Sequence, residues 1–148
     1  MIEVNVMGFV APADLAMRHL AERGSGHLVG LSSVASLRGG RPDATIYGAS
    51  KAFVSNYMEA LRLGADLSSL DIQVTEVRPG YVDTPMTRGQ PGMFWVADVE
   101  TAARQIHVAI KKRKRIAYIT RRWRLVAWLL KALPYPIARG LVRAVKGK

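Results

Sequence analysis

The sequence has no cysteine among its 148 residues, which excludes disulfides, thiolate catalysis and cysteine-ligated zinc. Its three histidines, His19, His27 and His107, match no metal-ligand spacing, so each reads as a surface or strand-end residue and no metal site is expected. No uncharged apolar window is long enough for a spanning helix. Met1-Ile2-Glu3-Val4-Asn5 lacks the basic-then-apolar order of a secretory signal, and a cytoplasmic location is expected, with peripheral contact at a membrane left open. Internal repeats and low-complexity linkers are missing too.

Acidic residues are missing from one end only. Residues 1–100 carry 8 Lys and Arg against all 11 Asp and Glu, whereas residues 101–148 carry 14 Lys and Arg and no carboxylate. The net charge of +11 therefore belongs to the C-terminal part. Such asymmetry suits a tail that meets an anionic surface. Nearly half the residues are apolar, 49%, which argues for a packed domain over disorder. The length suits one domain.

Apolar spacing predicts a helix over 3–23, with Pro12 implying a bend or a late start, and Gly24-Ser25-Gly26 as its stop. Residues 27–33 (HLVGLSS) read as a buried parallel strand, and 36–45 as a loop. A second long helix is expected over 46–68, a strand over 70–77 ended by Arg78-Pro79-Gly80, and a loop over 81–97 with Pro85, Gly89, Pro91 and Gly92. Asp98 is a good N-cap for a helix over 98–112. A strand over 116–120 and two basic helices, 122–133 and 136–146, complete the order. This alternation implies an α/β fold with parallel strands and helices on both faces.

The chemistry points to Tyr47-Gly48-Ala49-Ser50-Lys51. Residues four apart on a helix share a face. A lysine ammonium beside a phenol favours the phenolate, as a tyrosine acid/base requires. Alone, Tyr-x-x-x-Lys is an ordinary helix face. Ser32-Ser33, however, ends a strand 14 residues before Tyr47, at the sheet end where doubly wound folds bind ligands. Either serine could face the site. Asn5 lies near the start of the first helix, where it could also serve as a plain cap. Pro79-Gly80-Tyr81-Val82-Asp83-Thr84 follows the next strand.

These motifs, Asn-Val-x-Gly, Gly-His-Leu-Val-x-x-Ser-Ser, Tyr-Gly-Ala-Ser-Lys and Arg-Pro-Gly-x-Val-x-Thr-Pro-Met in this order, resemble the short-chain dehydrogenase/reductase family over residues 2 to about 120. The resemblance implies part of a Rossmann-like doubly wound parallel sheet, about three strands with flanking helices, with the first half of the domain missing. It implies hydride transfer between NAD or NADP and a small-molecule carbonyl or alcohol. Tyr47 would exchange the substrate proton. Lys51 would favour the phenolate and hold the nicotinamide ribose. Ser33 would hydrogen-bond the substrate oxygen. Asn5 would position a relay water. Pro79, Gly80, Val82 and Thr84 would lie along the nicotinamide.

The family's Gly-rich turn after a first strand does not occur here, so no helix N-terminus cradles a pyrophosphate. A truncated product, or a reading frame begun at an internal methionine of a longer protein, is expected. The chain alone is then expected to bind dinucleotide weakly, and the strand at 27–33 to present a bare edge.

Residues 1–120 thus form the catalytic part, and 121–148 a basic amphipathic tail. Trp123, Trp128, Leu129 and Leu130 among arginines suit a helix at a membrane interface. They equally suit a cover for the substrate pocket or a dimer contact. Nucleic acid ranks below both, because the aromatics cluster on an apolar helix. Met86, Met93, Phe94 and Trp95 in the 85–97 loop point to an apolar substrate. A homo-oligomer through helices 3–23 and 46–68 is expected, since family members often pair through matching helices. The alternative to an enzyme is a non-catalytic remnant that associates through those helices and binds membrane by its tail.

Overall fold

A computed structural model describes residues 1–39, 44–90 and 92–146. Residues 40–43 of the expected 36–45 loop, Pro91, and the last two residues of the tail lie outside them. A π-helical turn, Glu3–Met7, leads into α1 (Gly8–Arg23). Then follow β1 (Ser25–Leu31), a 3-10 turn (Val34–Ser36), α2 (Thr45–Leu67), β2 (Asp71–Pro79), α3 (Val99–Lys111), β3 (Ile116–Ile119), α4 (Trp123–Ala132) and α5 (Tyr135–Lys146).

The three strands form one parallel sheet in the order β1-β2-β3. β2 is central, and its side chains alternate between two cores. Ile72 and Val74 face α2, where they meet Val54, Met58 and Ala65, with Phe9 and Met17 of α1. Val77 faces α3, where Ala102 and Ala109 pack with Ala117 and Ile119 of β3. Helices on both faces make this part of a doubly wound, Rossmann-like sheet. β1 has no strand on its outer side among the described residues, so that edge is bare.

Three local readings change. The first helix does not start late at Pro12. It begins with a wide turn in which Gly8 donates to the Glu3 carbonyl, and Pro12 sits inside α1, where its missing N–H costs a single rung. β1 ends at Leu31, before the serines, and most of it is only half-buried. Ser32 N–H still bonds the Val77 carbonyl at 3.0 Å, but the Ser33 hydroxyl accepts from Ala35 N–H and caps the 3-10 turn, which diverts the chain. β2 continues through Arg78 and Pro79, because the rung beside Pro79 is made by its neighbour, Gly80 N–H to Ile119 O at 2.6 Å, while the Pro79 carbonyl points away from β3 toward Ser33 Oγ. Asp98 caps α3 as expected, accepting from Thr101 N–H at 2.6 Å.

Candidate active site

Parallel strands place their C-terminal ends on one side of the sheet, and loops from that side carry the candidate residues. Leu31 ends β1, Pro79 ends β2, and Tyr47 and Lys51 lie near the start of α2, which returns from that side. The Lys51 ammonium donates to the Leu31 carbonyl at 3.2 Å and stands 5.9 Å from the centre of the Tyr47 ring. Partial burial lowers the Lys51 pKa from its ordinary 10.5. The sequence spacing thus brings tyrosine and lysine together.

The remaining candidates are joined by short links. Asn5 Nδ2 donates to Ser50 Oγ at 3.0 Å, and Ser50 Oγ donates to the Tyr47 carbonyl at 2.8 Å. Asn5 is therefore bonded to the turn that carries both Tyr47 and Lys51, rather than acting as a plain helix cap. Ser33 Oγ lies 3.4 Å from the Pro79 carbonyl, which joins the loop after β1 to the end of β2. Ser32 is buried elsewhere, with its hydroxyl donating to Glu76 Oε1 at 2.6 Å. Both serines are buried, Ser32 on the Glu76 carboxylate and Ser33 in the turn that follows β1.

Val82 and Thr84 occupy a separate neighbourhood beyond β2. Val82 forms an isolated parallel bridge with Ala97, and Thr84 is tied into its own turn through Thr87 Oγ1, 3.0 Å from Thr84 N–H. Gly80 meets Trp123 of α4. A Cβ on Gly80 would fall 2.0 Å from the indole nitrogen, so only glycine admits the ring there. Tyr81, Phe94 and Trp95 complete an aromatic cluster around Trp123, with ring centres 5.0–5.9 Å from it. The outer, Arg-lined cavity of about 480 Å³ between Asp98, Gln105, Thr120 and Arg121 includes none of the candidate catalytic residues.

The sheet also holds a buried polar network that the sequence reading does not single out. Glu76 and Arg78 are buried as an ion pair, Nε to Oε1 at 2.7 Å and Nη2 to Oε2 at 2.9 Å. Arg78 also reaches Ser55 Oγ and Tyr118 OH. Arg62, buried on α2, donates to the Val74 carbonyl at 3.2 Å. The signal lay in β2: Ile72, Val74, Glu76 and Arg78 share one face, and a carboxylate and guanidinium on an apolar face must pair. Arg38 likewise reaches across to α4, donating to the Leu130 and Leu133 carbonyls.

The residues present fit the nicotinamide–ribose end of a dinucleotide. A lysine ammonium has three donors, and the Leu31 carbonyl takes one, which leaves two for a ribose diol beside the tyrosine. Among the described residues no Gly-rich turn follows a strand and opens a helix, so the fit extends to that end alone.

The profile of the family described as short chain dehydrogenase matches residues 1–93. An uncharacterised oxidoreductase of Myxococcus xanthus is 43% identical over 86 residues, 58% of this chain and 33% of that protein. An uncharacterised oxidoreductase of Mycobacterium tuberculosis is 32% identical over 139 residues, 93% of this chain and 54% of that protein. The chain thus spans between a third and about half the length of these relatives. Among solved structures, a short chain dehydrogenase from Burkholderia cenocepacia in complex with NADP superposes with a TM-score of 0.72 at 24% identity, covering 97% of this chain and 58% of that one. A 7β-hydroxysteroid dehydrogenase superposes with a TM-score of 0.75 at 22% identity, covering 99% and 56%. These structures share the fold of the three-stranded sheet and its helices, and the profile match decides the family: the chain belongs to the short-chain dehydrogenases.

Proposed function

We propose that this chain carries the acid/base half of an oxidoreductase that moves hydride between NAD or NADP and a carbonyl or alcohol. The observation that carries the reading is the Lys51 ammonium, held on the Leu31 carbonyl at the end of β1 and beside the Tyr47 ring. A bound nicotinamide dinucleotide supplies or accepts the hydride. Tyr47 gives its phenolic proton to the substrate oxygen in reduction and takes it back in oxidation. Lys51 steadies the phenolate and holds the ribose hydroxyls. Ser33 donates a hydrogen bond to the substrate oxygen. Asn5, fastened to Ser50, positions the water that reloads Lys51. Pro79, Gly80, Val82 and Thr84 line the nicotinamide side. The Burkholderia relative in complex with NADP supports the cofactor class.

The substrate is a small apolar carbonyl or alcohol, because Tyr81, Phe94, Trp95 and Trp123 gather next to Gly80. Residues 1–120 form the Rossmann-like part, and 121–148 form a tail that begins by packing Trp123 onto it. The protein works in the cytoplasm, pairs with copies of itself through helices 3–23 and 46–68, and makes peripheral contact with a membrane through its tail. Exposed Leu15, Phe53 and Leu63 on those helices support the pairing. They also favour the second reading, a non-catalytic remnant that only associates.

Tyr47→Phe separates the two. In a version completed by a Gly-rich nucleotide-binding half, ketone-dependent NADPH oxidation should vanish while association stays unchanged. Turnover that survives Tyr47→Phe would end the acid/base assignment. The 148-residue chain alone should bind NADPH weakly in calorimetry, and micromolar affinity would overturn the view that it holds only part of the cofactor site.

A further inference from the structure

We propose that the outer face of α4 is a membrane-surface contact, seated on a bilayer that carries anionic headgroups. α4 has apolar residues on two sides. Trp123 and Ala127 are buried against the domain. Leu125, Trp128 and Leu129, at i, i+3 and i+4, share another side, with Leu125 exposed to 71% and Trp128 to 72%. The helix cannot turn that side inward, because both ends are fixed. Trp123 sits on Gly80 at one end, and the Arg38 guanidinium binds the Leu130 and Leu133 carbonyls at the other.

Charge identifies the partner. Arg124 and Lys131 lie on α4 with the exposed apolar triplet and Arg121 and Arg122 precede it; all four are exposed, and Arg122 lies over the Trp95 ring at 5.2 Å. Tyr135, Ile137 and Arg139 continue the same mixture at the start of α5. Residues 101–148 contain no Asp or Glu, and Asp98 lines the outer cavity with Arg121 and Arg122, away from Arg124 and Lys131 in the sequence. Leucine and tryptophan accompanied by cations match the boundary of an anionic bilayer, where acyl chains take the apolar groups and headgroups take the charges. A second copy of the same face would oppose cation to cation. A nucleic acid would meet the cations and leave Leu125, Trp128 and Leu129 in water. No described helix is long and apolar enough to cross a membrane, so the contact lies in the plane of the surface. The proposal does not depend on hydride transfer, and its test reads lipid binding alone.

The 148-residue chain should float with vesicles of phosphatidylcholine and phosphatidylglycerol at least about tenfold more than with phosphatidylcholine alone. Added salt should weaken the binding. The triple variant Leu125→Gln, Trp128→Gln, Leu129→Gln should fall to the neutral-vesicle level with an unchanged circular dichroism spectrum, since all three side chains are exposed. Arg124→Gln with Lys131→Gln should lose most of the preference for anionic vesicles. Equal flotation on both vesicle types would overturn the proposal. So would a triple variant that floats like the parent, because charge alone, as on a nucleic acid, would then account for binding. A parent dimer in sedimentation that the triple variant splits would assign the face to a second copy instead.

Discussion

Ser32 donates its hydroxyl to Glu76 across the β1–β2 pair at 2.6 Å, and both side chains are buried. The same carboxylate is gripped by Arg78 and lies 3.8 Å from Arg62. One buried anion therefore serves two buried cations and fixes the serine next to Ser33. Glu76→Gln leaves both guanidinium groups uncompensated. The expected loss is about 3–5 kcal/mol in urea denaturation, whereas Ser32→Ala should cost about 1 kcal/mol, one hydrogen bond to a well-paired carboxylate. Equal losses for the two variants would contradict this ranking.

The network shows where sequence reading stops. Parallel strands, helix order and the Asp98 cap follow from apolar period and cap chemistry, which are local. Tyr47 and Lys51 are four apart on one helix, so their proximity is local as well. The partner of Ser32 is not local, because Glu76 is 44 positions away and meets it only in the folded sheet. Trp123 was legible as an aromatic in a basic segment, but not as the ring that fills the space over Gly80. The end of β1 shifted for a similar reason: the Ser33 hydroxyl competes with the ladder by capping a turn.

Gly80→Ala would put a methyl 2.0 Å from the indole nitrogen of the buried Trp123. Overpacking of this kind is expected to cost about 1–3 kcal/mol. Trp123→Leu opens the space, so the double variant should be more stable than the sum of the two single losses predicts. Chemical denaturation of all four proteins measures the coupling. Strict additivity would show that the ring and the glycine do not depend on each other.

Asp98 holds the first turn of α3. The Thr101 backbone N–H, and secondarily its side chain, keep the Asp98 carboxyl below its ordinary 3.8. A lowered folded value means that the cap's contribution is complete above the unfolded value and fades as pH falls through the folded one. Amide exchange in the first turn of α3 should accelerate on acidification. Asp98→Asn keeps an acceptor that does not titrate, so its exchange should depend less on pH in that range. Asp98→Ala should exchange fast at every pH. Identical pH profiles for the parent and the asparagine variant would remove Asp98 as the titrating cap.

His27 gives the corresponding test near neutrality. Its ring Nε2 lies 2.7 Å from Thr75 Oγ1, a fully buried hydroxyl. Burial first, and then the Arg113 guanidinium, lower the His27 pKa from 6.5. Arg113 is itself paired with Asp71 at 3.1 Å on the strand next to His27. Between the folded and unfolded values the unfolded chain binds more protons, so stability falls as pH drops below the unfolded value and levels off below the folded one. His27→Gln keeps a polar partner for Thr75 and carries no titrating proton. The gap in urea midpoint between parent and variant should shift against the parent as the solution is acidified through this window. Arg113→Gln should narrow that shift, since it removes the second cause of the lowered pKa. A parent-to-variant gap that stays constant with pH would mean that His27 titrates alike in the folded and unfolded chains.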